Sequence, residues 1–289
     1  MFAITGITGQ VGGEVAHNLI VNNEEIRPVV RDLAKAKYWE QRGCNIFVAD
    51  MNDSDALVEA FTGTAGVFIL LPPTFDPSAG FIEAHRTIKS IHTALSIAKP
   101  PKIVCLSTIG ANSKQFNLLN QLGILEKELS SLPMPVAFLR AAWFMENYAW
   151  DVASAIEDGV ISSFLQPLDK PFPMVATADV GRVAAELLKD VWAGQRIINL
   201  EGTRISPNEI ASSFSKILGK SVRTEAIPSD TWHSLFISHG MKNPEPRIQM
   251  LNGFNQGWIE FDDIGTESRK GEVSIDTVIK KLVRSYSQG

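Results

Sequence analysis

Along the first 140 residues, short apolar, β-branched runs alternate with longer stretches whose apolar positions recur every three or four residues. Phe2–Thr5, Ile26–Val30, Asn45–Ala49, Val67–Leu71, Lys102–Ser107 and Val136–Arg140 read as strands. Between them Val11–Val21, Leu33–Arg42, Asp53–Phe61, Pro77–Ala98 and Lys114–Ser131 read as helices. In the first helix Val11, Val15 and Leu19 fall on one face. Strands apolar on both faces and separated by helices predict an α/β fold, with a parallel sheet covered on both sides. Right-handed crossovers then favour a doubly wound order. Pro28 is the local conflict, because it removes a ladder donor from a strand expected in the sheet interior.

Beyond Arg140 the alternation fades. Trp143–Asp158 reads as helix, Pro167–Pro173 as loop, Thr177–Lys189 as helix, Arg196–Leu200 as a further strand and Pro207–Leu218 as helix. The expected organisation is a nucleotide-binding domain over residues 1–150, to which 175–200 return. A smaller C-terminal lobe, built from 151–174 and 201–289, would sit over the carboxyl edge of the sheet, where open α/β sheets bind their ligands.

Composition narrows the function classes. The 289 residues are 45% hydrophobic and 20% charged, with 27 Lys and Arg against 32 Asp and Glu, a formal charge of −5. Mild acidity argues against nucleic acid or an anionic membrane as partner, since both need a basic patch. Two cysteines, Cys44 and Cys105, make no disulfide framework and fit no zinc spacing, and Cys105 lies in an apolar run that suits a buried thiol. No metal motif occurs, no segment has the length of a membrane span, and the first residues lack a basic leader. The expected location is cytoplasmic.

Chemistry concentrates in Thr5-Gly6-Ile7-Thr8-Gly9-Gln10-Val11-Gly12-Gly13, which follows the first strand and opens the first helix. The G-x-x-G-x-x-G spacing is a variant of the Rossmann fingerprint. Gly6 can take backbone angles closed to other residues, Gly9 lets a diphosphate approach the main chain, and Gly12 lets the helix press against the strand. The helix start then offers free N–H groups and a partial positive charge. Where an NAD site places an acidic residue after the second strand, this chain has Arg31-Asp32, with Lys35 one turn later. Arg31 and Lys35 suit a 2′-phosphate, which selects NADP(H), although Arg31 could also be a solvated surface residue. Asp32 suits either the N-cap of the next helix or a ribose, and Asp50 either an adenine or a turn with Asn52 and Asp53.

With this loop, Arg31 and the run Phe138-Leu139-Arg140-Ala141-Ala142-Trp143-Phe144-Met145-Glu146-Asn147, the chain resembles the NmrA-like branch of the atypical short-chain dehydrogenase/reductases. Thr177-Ala178-Asp179-Val180-Gly181-Arg182 extends the resemblance across nearly the whole chain. That group includes NADPH-dependent quinone, triphenylmethane-dye and azo-dye reductases, and NADP-sensing regulators without known chemistry. The resemblance implies that Gly6, Thr8, Gly9, Gln10 and Val11 line the diphosphate, Arg31 the 2′-phosphate and Asp50 the adenine. It places Leu70, Leu71 and Pro72 beside the nicotinamide, Ser107 and Thr108 at the end of the fifth strand, and Asn147 facing the pocket.

The departure from the family pattern is informative. Extended relatives carry Tyr-x-x-x-Lys followed four residues later by Glu; that Glu matches Glu126, so the Lys and Tyr positions are Leu122 and Leu118, three positions expected on one helix face. Two leucines cannot exchange a proton with substrate as a phenol beside an ammonium can. Epimerisation and alcohol dehydrogenation therefore fall away, whereas hydride transfer to a planar aromatic acceptor such as a quinone or dye survives. The alternative is a non-catalytic NADP(H) sensor that binds a regulatory protein partner; a homodimer fits either reading. Lys127 points off the leucine face and reads as a surface residue. Trp143, Phe144, Tyr148 and Trp150 could form an aromatic wall for a flat substrate or pack between lobes, and His85 and His92 suit an amphipathic helix face better than a paired site. No catalytic residue is assigned.

Overall fold

The computed structural model describes residues 1–288. Its strands are β1 (Phe2–Thr5), β2 (Ile26–Val30), β3 (Phe47–Val48), β4 (Gly66–Ile69), β5 (Ile103–Thr108), β6 (Val136–Ala141), β7 (Trp143–Phe144), β8 (Val160–Ser163), β9 (Phe172–Val175), β10 (Gln195–Glu201), β11 (Arg204–Ile205), β12 (Arg223–Ala226) and β13 (Glu267–Lys270). Eight of them form one parallel sheet in the order β3-β2-β1-β4-β5-β6-β10-β13. The order reverses between β1 and β4, which opens the crevice where doubly wound sheets bind ligands.

The apolar runs are continuous because both faces of the sheet are covered, and successive side chains enter opposite layers. Ile4, Phe68, Val104 and Leu139 pack toward α1 (Gln10–Val21) and α7 (Thr177–Lys189). Ala3, Val67, Ile69, Cys105 and Phe138 pack toward α3 (Ser54–Phe61), α4 (Ile82–Ala98) and α5 (Asn120–Leu129). A Cβ on Gly181 of α7 would lie 2.3 Å from the Cβ of Glu14, so the two helices of the first layer touch backbone to backbone there. Pro28 is accommodated because β3 is only two residues long and pairs with Val29 and Val30, after the missing donor.

Several expected elements are shorter or different. The stretch 33–42 is a 3₁₀ turn, Leu33–Ala36, capped by Asp32, followed by one helical turn, Lys37–Glu40. Helix α4 starts at Ile82 rather than Pro77, since Gly80 and Phe81 are left-handed. Helix α5 starts at Asn120 rather than Lys114. Trp143–Phe144, expected as helix, is strand β7, paired with Met174 and Val175 of β9; a 3₁₀ segment, Met145–Asp151, and a short helix, Val152–Glu157, follow. Phe172–Val175, partly expected as loop, is β9.

The remaining chain packs around its own apolar cluster, including Met145, Ile161, Phe172, Phe214, Trp232, Phe236 and Phe254. Strand β10 enters the large sheet as expected, and β13 extends that sheet from within the C-terminal stretch.

One polar cluster lies inside the second layer. Arg140 of β6 donates from Nε and Nη2 to both oxygens of Glu126 at 2.9 and 2.6 Å, and Ser107 of β5 donates to Oε1 at 2.5 Å. All three residues are buried. Burial, reinforced by the Glu126 carboxylate, pushes the neighbouring Cys105 thiol well above its ordinary pKa, so that sulfur is inert. Removing one partner of a buried pair leaves an uncompensated charge. Arg140→Met is therefore expected to cost about 3–5 kcal/mol in denaturant unfolding, with Glu126→Leu/Arg140→Met recovering most of it. Equal losses in the single and double variants would assign the cost to packing instead.

Candidate functional site

The crevice between β1 and β4 is fixed by one threonine that the sequence reading passed over. Thr5, fully buried at the end of β1, donates from Oγ1 to the Phe68 carbonyl at 3.0 Å and accepts from the Leu70 N–H at 2.9 Å. The two strand ends are thereby locked side by side. The chain then turns at Gly6, whose φ of +64° excludes most side chains, and Ile7 anchors the loop in the core while Thr8, Gly9 and Gln10 remain exposed.

Helix α1 begins at Gln10 with no capping side chain and no acidic residue in its first turn. Its first amides, lying beyond the carboxyl edge of the sheet, are a ready anion site. Gly12 serves a contact different from the one expected. A Cβ there would fall 2.3 Å from the Gly6 carbonyl oxygen and 2.8 Å from the Ile7 nitrogen, so the helix presses on the loop's own backbone rather than on the strand. This bare, closely approached helix start fits a diphosphate group.

The next strand end separates two roles that the sequence left open. Asp32 uses Oδ1 to accept the Ala34 N–H at 2.9 Å and so caps the turn after β2, whereas Arg31 and Lys35 are exposed beside it. Asp50 accepts the backbone and side-chain N–H groups of Asn52 at 2.8 and 3.0 Å, the turn geometry offered by the sequence; its other oxygen is engaged in neither bond. Leu70 abuts Gly6, Leu71 is buried, Pro72 is exposed and Thr108 is half-buried at the end of β5. Ser107 points its hydroxyl into the Glu126–Arg140 pair.

The helix face expected to carry Leu118, Leu122 and Glu126 is not formed as one face, because α5 begins two residues after Leu118. Leu118 instead packs in the lobe cluster and donates its N–H to the Pro246 carbonyl at 2.8 Å, while Leu122 packs under the sheet. Neither position offers a proton. Lys127 is exposed. The aromatic wall is not formed either. Adjacent residues of β7 face opposite ways, so Trp143 meets Phe254 edge-on at 5.2 Å in the lobe core and Phe144 packs toward the sheet core. Tyr148 is buried, its hydroxyl pKa raised by burial, and Trp150 is 91% exposed. Asn147 is exposed. Asp151, half-buried at the end of the same 3₁₀ segment, has its carboxyl pushed up to about 7 by burial. His85 is exposed and His92 meets the Ser131 hydroxyl at 3.0 Å, so the two make no joint site.

Two residues of the resembling motifs turn out to hold the framework. Glu146 accepts from the Thr177 N–H and hydroxyl at 3.0 and 2.7 Å, which pins the start of α7 beneath β7. Asp179, buried, accepts the N–H groups of Glu272 and Val273 at 3.0 and 2.9 Å and so ties the C-terminal segment to the same helix. Sequence reasoning also missed Gln121 and Asp76, which brace the loop after β4. Gln121, buried, donates to the Thr74 carbonyl at 3.1 Å, and Asp76 accepts the N–H groups of Lys242 and Asn243 at 2.9 and 2.7 Å. The partners of Asp76 lie 166 and 167 residues along the chain, so no local pattern signals them.

A doubly wound sheet with a glycine loop and an uncapped first helix at its carboxyl edge defines a nucleotide-binding α/β protein. The chain belongs to the NmrA-like family, whose profile matches residues 1–287. It is 26% identical over 276 residues to quinone oxidoreductase 2 of Escherichia coli, covering 93% of each chain. It is 25% identical over 258 residues to an NAD(P)H azoreductase of Xenophilus azovorans, covering 87% of this chain and 85% of that one. In three dimensions it superposes on the Escherichia coli NADPH-dependent quinone oxidoreductase crystallised with NADPH, at a TM-score of 0.79 and 22% identity over 99% and 100% of the chains. The triphenylmethane reductase of Citrobacter sp. gives 0.81 at 20% identity over 98% and 99%. Among the described residues no helix is long and apolar enough to cross a membrane.

The Gly12 contact yields a direct test. Gly12→Val must displace either the Gly6 carbonyl or the helix start. It is expected to weaken dinucleotide affinity by at least about a hundredfold, measured by calorimetry, while far-UV circular dichroism stays native. Unchanged affinity would place nucleotide binding elsewhere.

Proposed function

We propose that the protein is an NADPH-dependent reductase acting on a planar aromatic acceptor of the quinone or dye type. The observation that carries the cofactor half is the bare start of α1 beside an exposed Arg31, with the one carboxylate able to take a ribose, Asp32, already engaged as a cap. Gly6, Thr8, Gly9, Gln10, Val11 and Gly12 would line the diphosphate, with the free N–H groups at the start of α1 as donors and Gly9, whose own N–H goes to the Gly6 carbonyl at 3.0 Å, allowing close approach. Arg31, with Lys35, would grip the 2′-phosphate by charge-assisted bonds, and Asp50 would meet the adenine. Leu70, Leu71, Pro72 and Thr108 would flank the nicotinamide, with Ser107 contributing backbone only. Residues 1–150 with 175–200, joined by β13 from within the C-terminal stretch, make up the cofactor unit in this reading, and 151–174 with the rest of 201–289 the unit that closes over it.

The acceptor half rests on what the site lacks and on the relatives. Leu118 and Leu122 stand where a tyrosine and a lysine would supply a proton, so the acceptor must tolerate gaining a hydride without a strong acid beside it. A quinone does so, because the anion formed is a phenolate stable near neutral pH with modest help. NADPH, when bound, supplies that hydride. The chain's part is to orient the cofactor and exclude water beneath the lobe. Relatives named as quinone and azo-dye reductases point to the same class of acceptor. Trp143 and Phe144, held in opposite cores, shape the floor of the lobe more than they offer a free stacking face, and Asn147 is the exposed polar group of that segment.

Stopped-flow oxidation of NADPH by a quinone panel tests both halves. Turnover is expected in the wild type. Arg31→Ala should weaken NADPH by about ten- to a hundredfold, the worth of charged hydrogen bonds, and leave NADH within about twofold. Oxidation no faster than in Gly12→Val, with tight NADPH binding retained, would replace the reductase by the sensor reading. An equal loss for both nucleotides would remove Arg31 from the 2′-phosphate.

A further inference from the structure

Two phenylalanines are held open to solvent on loops built to keep them still. Phe75, 61% exposed, lies on the loop after β4; Phe116, 52% exposed, lies on the loop after β5, the strand paired with β4. Both loops leave the carboxyl edge of the sheet, and the first begins at Leu70 against Gly6. Each ring is flanked by tethered residues. The Thr74 carbonyl accepts from Gln121, and Asp76 accepts the N–H groups of Lys242 and Asn243. The fully buried Asn117 donates from its side-chain amide to the Gln115 carbonyl at 2.8 Å and accepts the Leu119 N–H at 2.8 Å. Phe116 also stacks on Phe81 at 5.6 Å and 26°, which joins the two loops. Ile82, 63% exposed, adds a third apolar side chain beside Phe81.

Single exposed apolar residues are ordinary, but these sit on loops that leave neighbouring strands at the same edge of the sheet. Their backbone is already ordered, so a ligand covering them loses little entropy on binding. Asp76, the one carboxylate on the 72–77 loop, is turned to the Lys242 and Asn243 N–H groups, and the loop's other side chains are uncharged.

We propose that Phe75 and Phe116 are specificity-determining residues that receive the apolar substituent of the acceptor, so that the preferred substrates are lipophilic, chain-bearing quinones rather than small polar ones. This rests on the reductase reading above. A bare quinone uses only the crevice, whereas an alkyl chain lies across the two rings.

The experiment is kcat/KM for benzoquinones carrying a straight alkyl chain from methyl to decyl, with NADPH saturating. In the wild type kcat/KM should climb by up to about fourfold per added methylene, the most that burying one CH₂ supplies, and then level off. The gain should sit in KM rather than kcat. Phe75→Ser should flatten the slope with NADPH affinity kept within about twofold, and Phe75→Leu should restore most of it. Phe116→Leu should retain the slope in part, and Val21→Ser, an exposed apolar residue at the far end of α1, should retain all of it. Turnover without chain-length dependence, or a slope unchanged in Phe75→Ser, overturns this inference alone. No turnover with any quinone overturns the reductase reading and this inference with it.

Discussion

The structure depends on a close contact between Gly12 and the Gly6 carbonyl. It lets the first helix start immediately after the first strand, leaving its opening amides uncovered at the sheet's carboxyl edge. Thr5 holds β1 against β4 from below, and Gly181 lets α7 lie against α1 from the side. The anion site is thus not a flexible loop that closes around a ligand but the rigid end of a packed layer. Preorganised dipoles of that kind bind charge without a cost of rearrangement.

The same economy governs the polar interior. Glu126 takes bonds from Arg140 on both oxygens and from Ser107 on one, so its carboxylate is held inside the sheet layer. Glu146 caps α7, and Asp179 fastens the C-terminal segment to it. Glu146 and Asp179, acidic residues of the family motifs, are therefore joints that fasten α7 to its neighbours. Such bonds are satisfied on every side, which is what allows charges to stand at these depths. What remains free near the start of α1 is mostly backbone and the cations Arg31 and Lys35, a set suited to holding an anionic cofactor more than to moving protons.

Much of this was legible in the chain. The six early strands, the glycine loop, the Asp32 cap and the return of β10 to the sheet follow from local periodicity and turn chemistry. The failures have a common cause, which is that tertiary pairing outweighed local pattern. Trp143 and Phe144 carry helix-compatible spacing but are drawn into a strand by β9, and that pairing turns their rings to opposite cores. Leu118 fits the helical stripe of α5, yet its N–H is taken by Pro246 of a distant helix. Asp76 and Gln121 form their bonds to backbone groups far along the chain, and nothing in their immediate neighbours signals it. Contacts of that range have no period to read.

The most direct measurement of the central claim is calorimetric titration of the intact protein with NADPH and with NADH under identical salt. If the bare helix start cradles the diphosphate and Arg31 grips the 2′-phosphate, NADPH binds tighter than NADH by about one to two orders of magnitude, with the difference shrinking as salt rises. Equal affinities, or no heat from either nucleotide, would contradict the account.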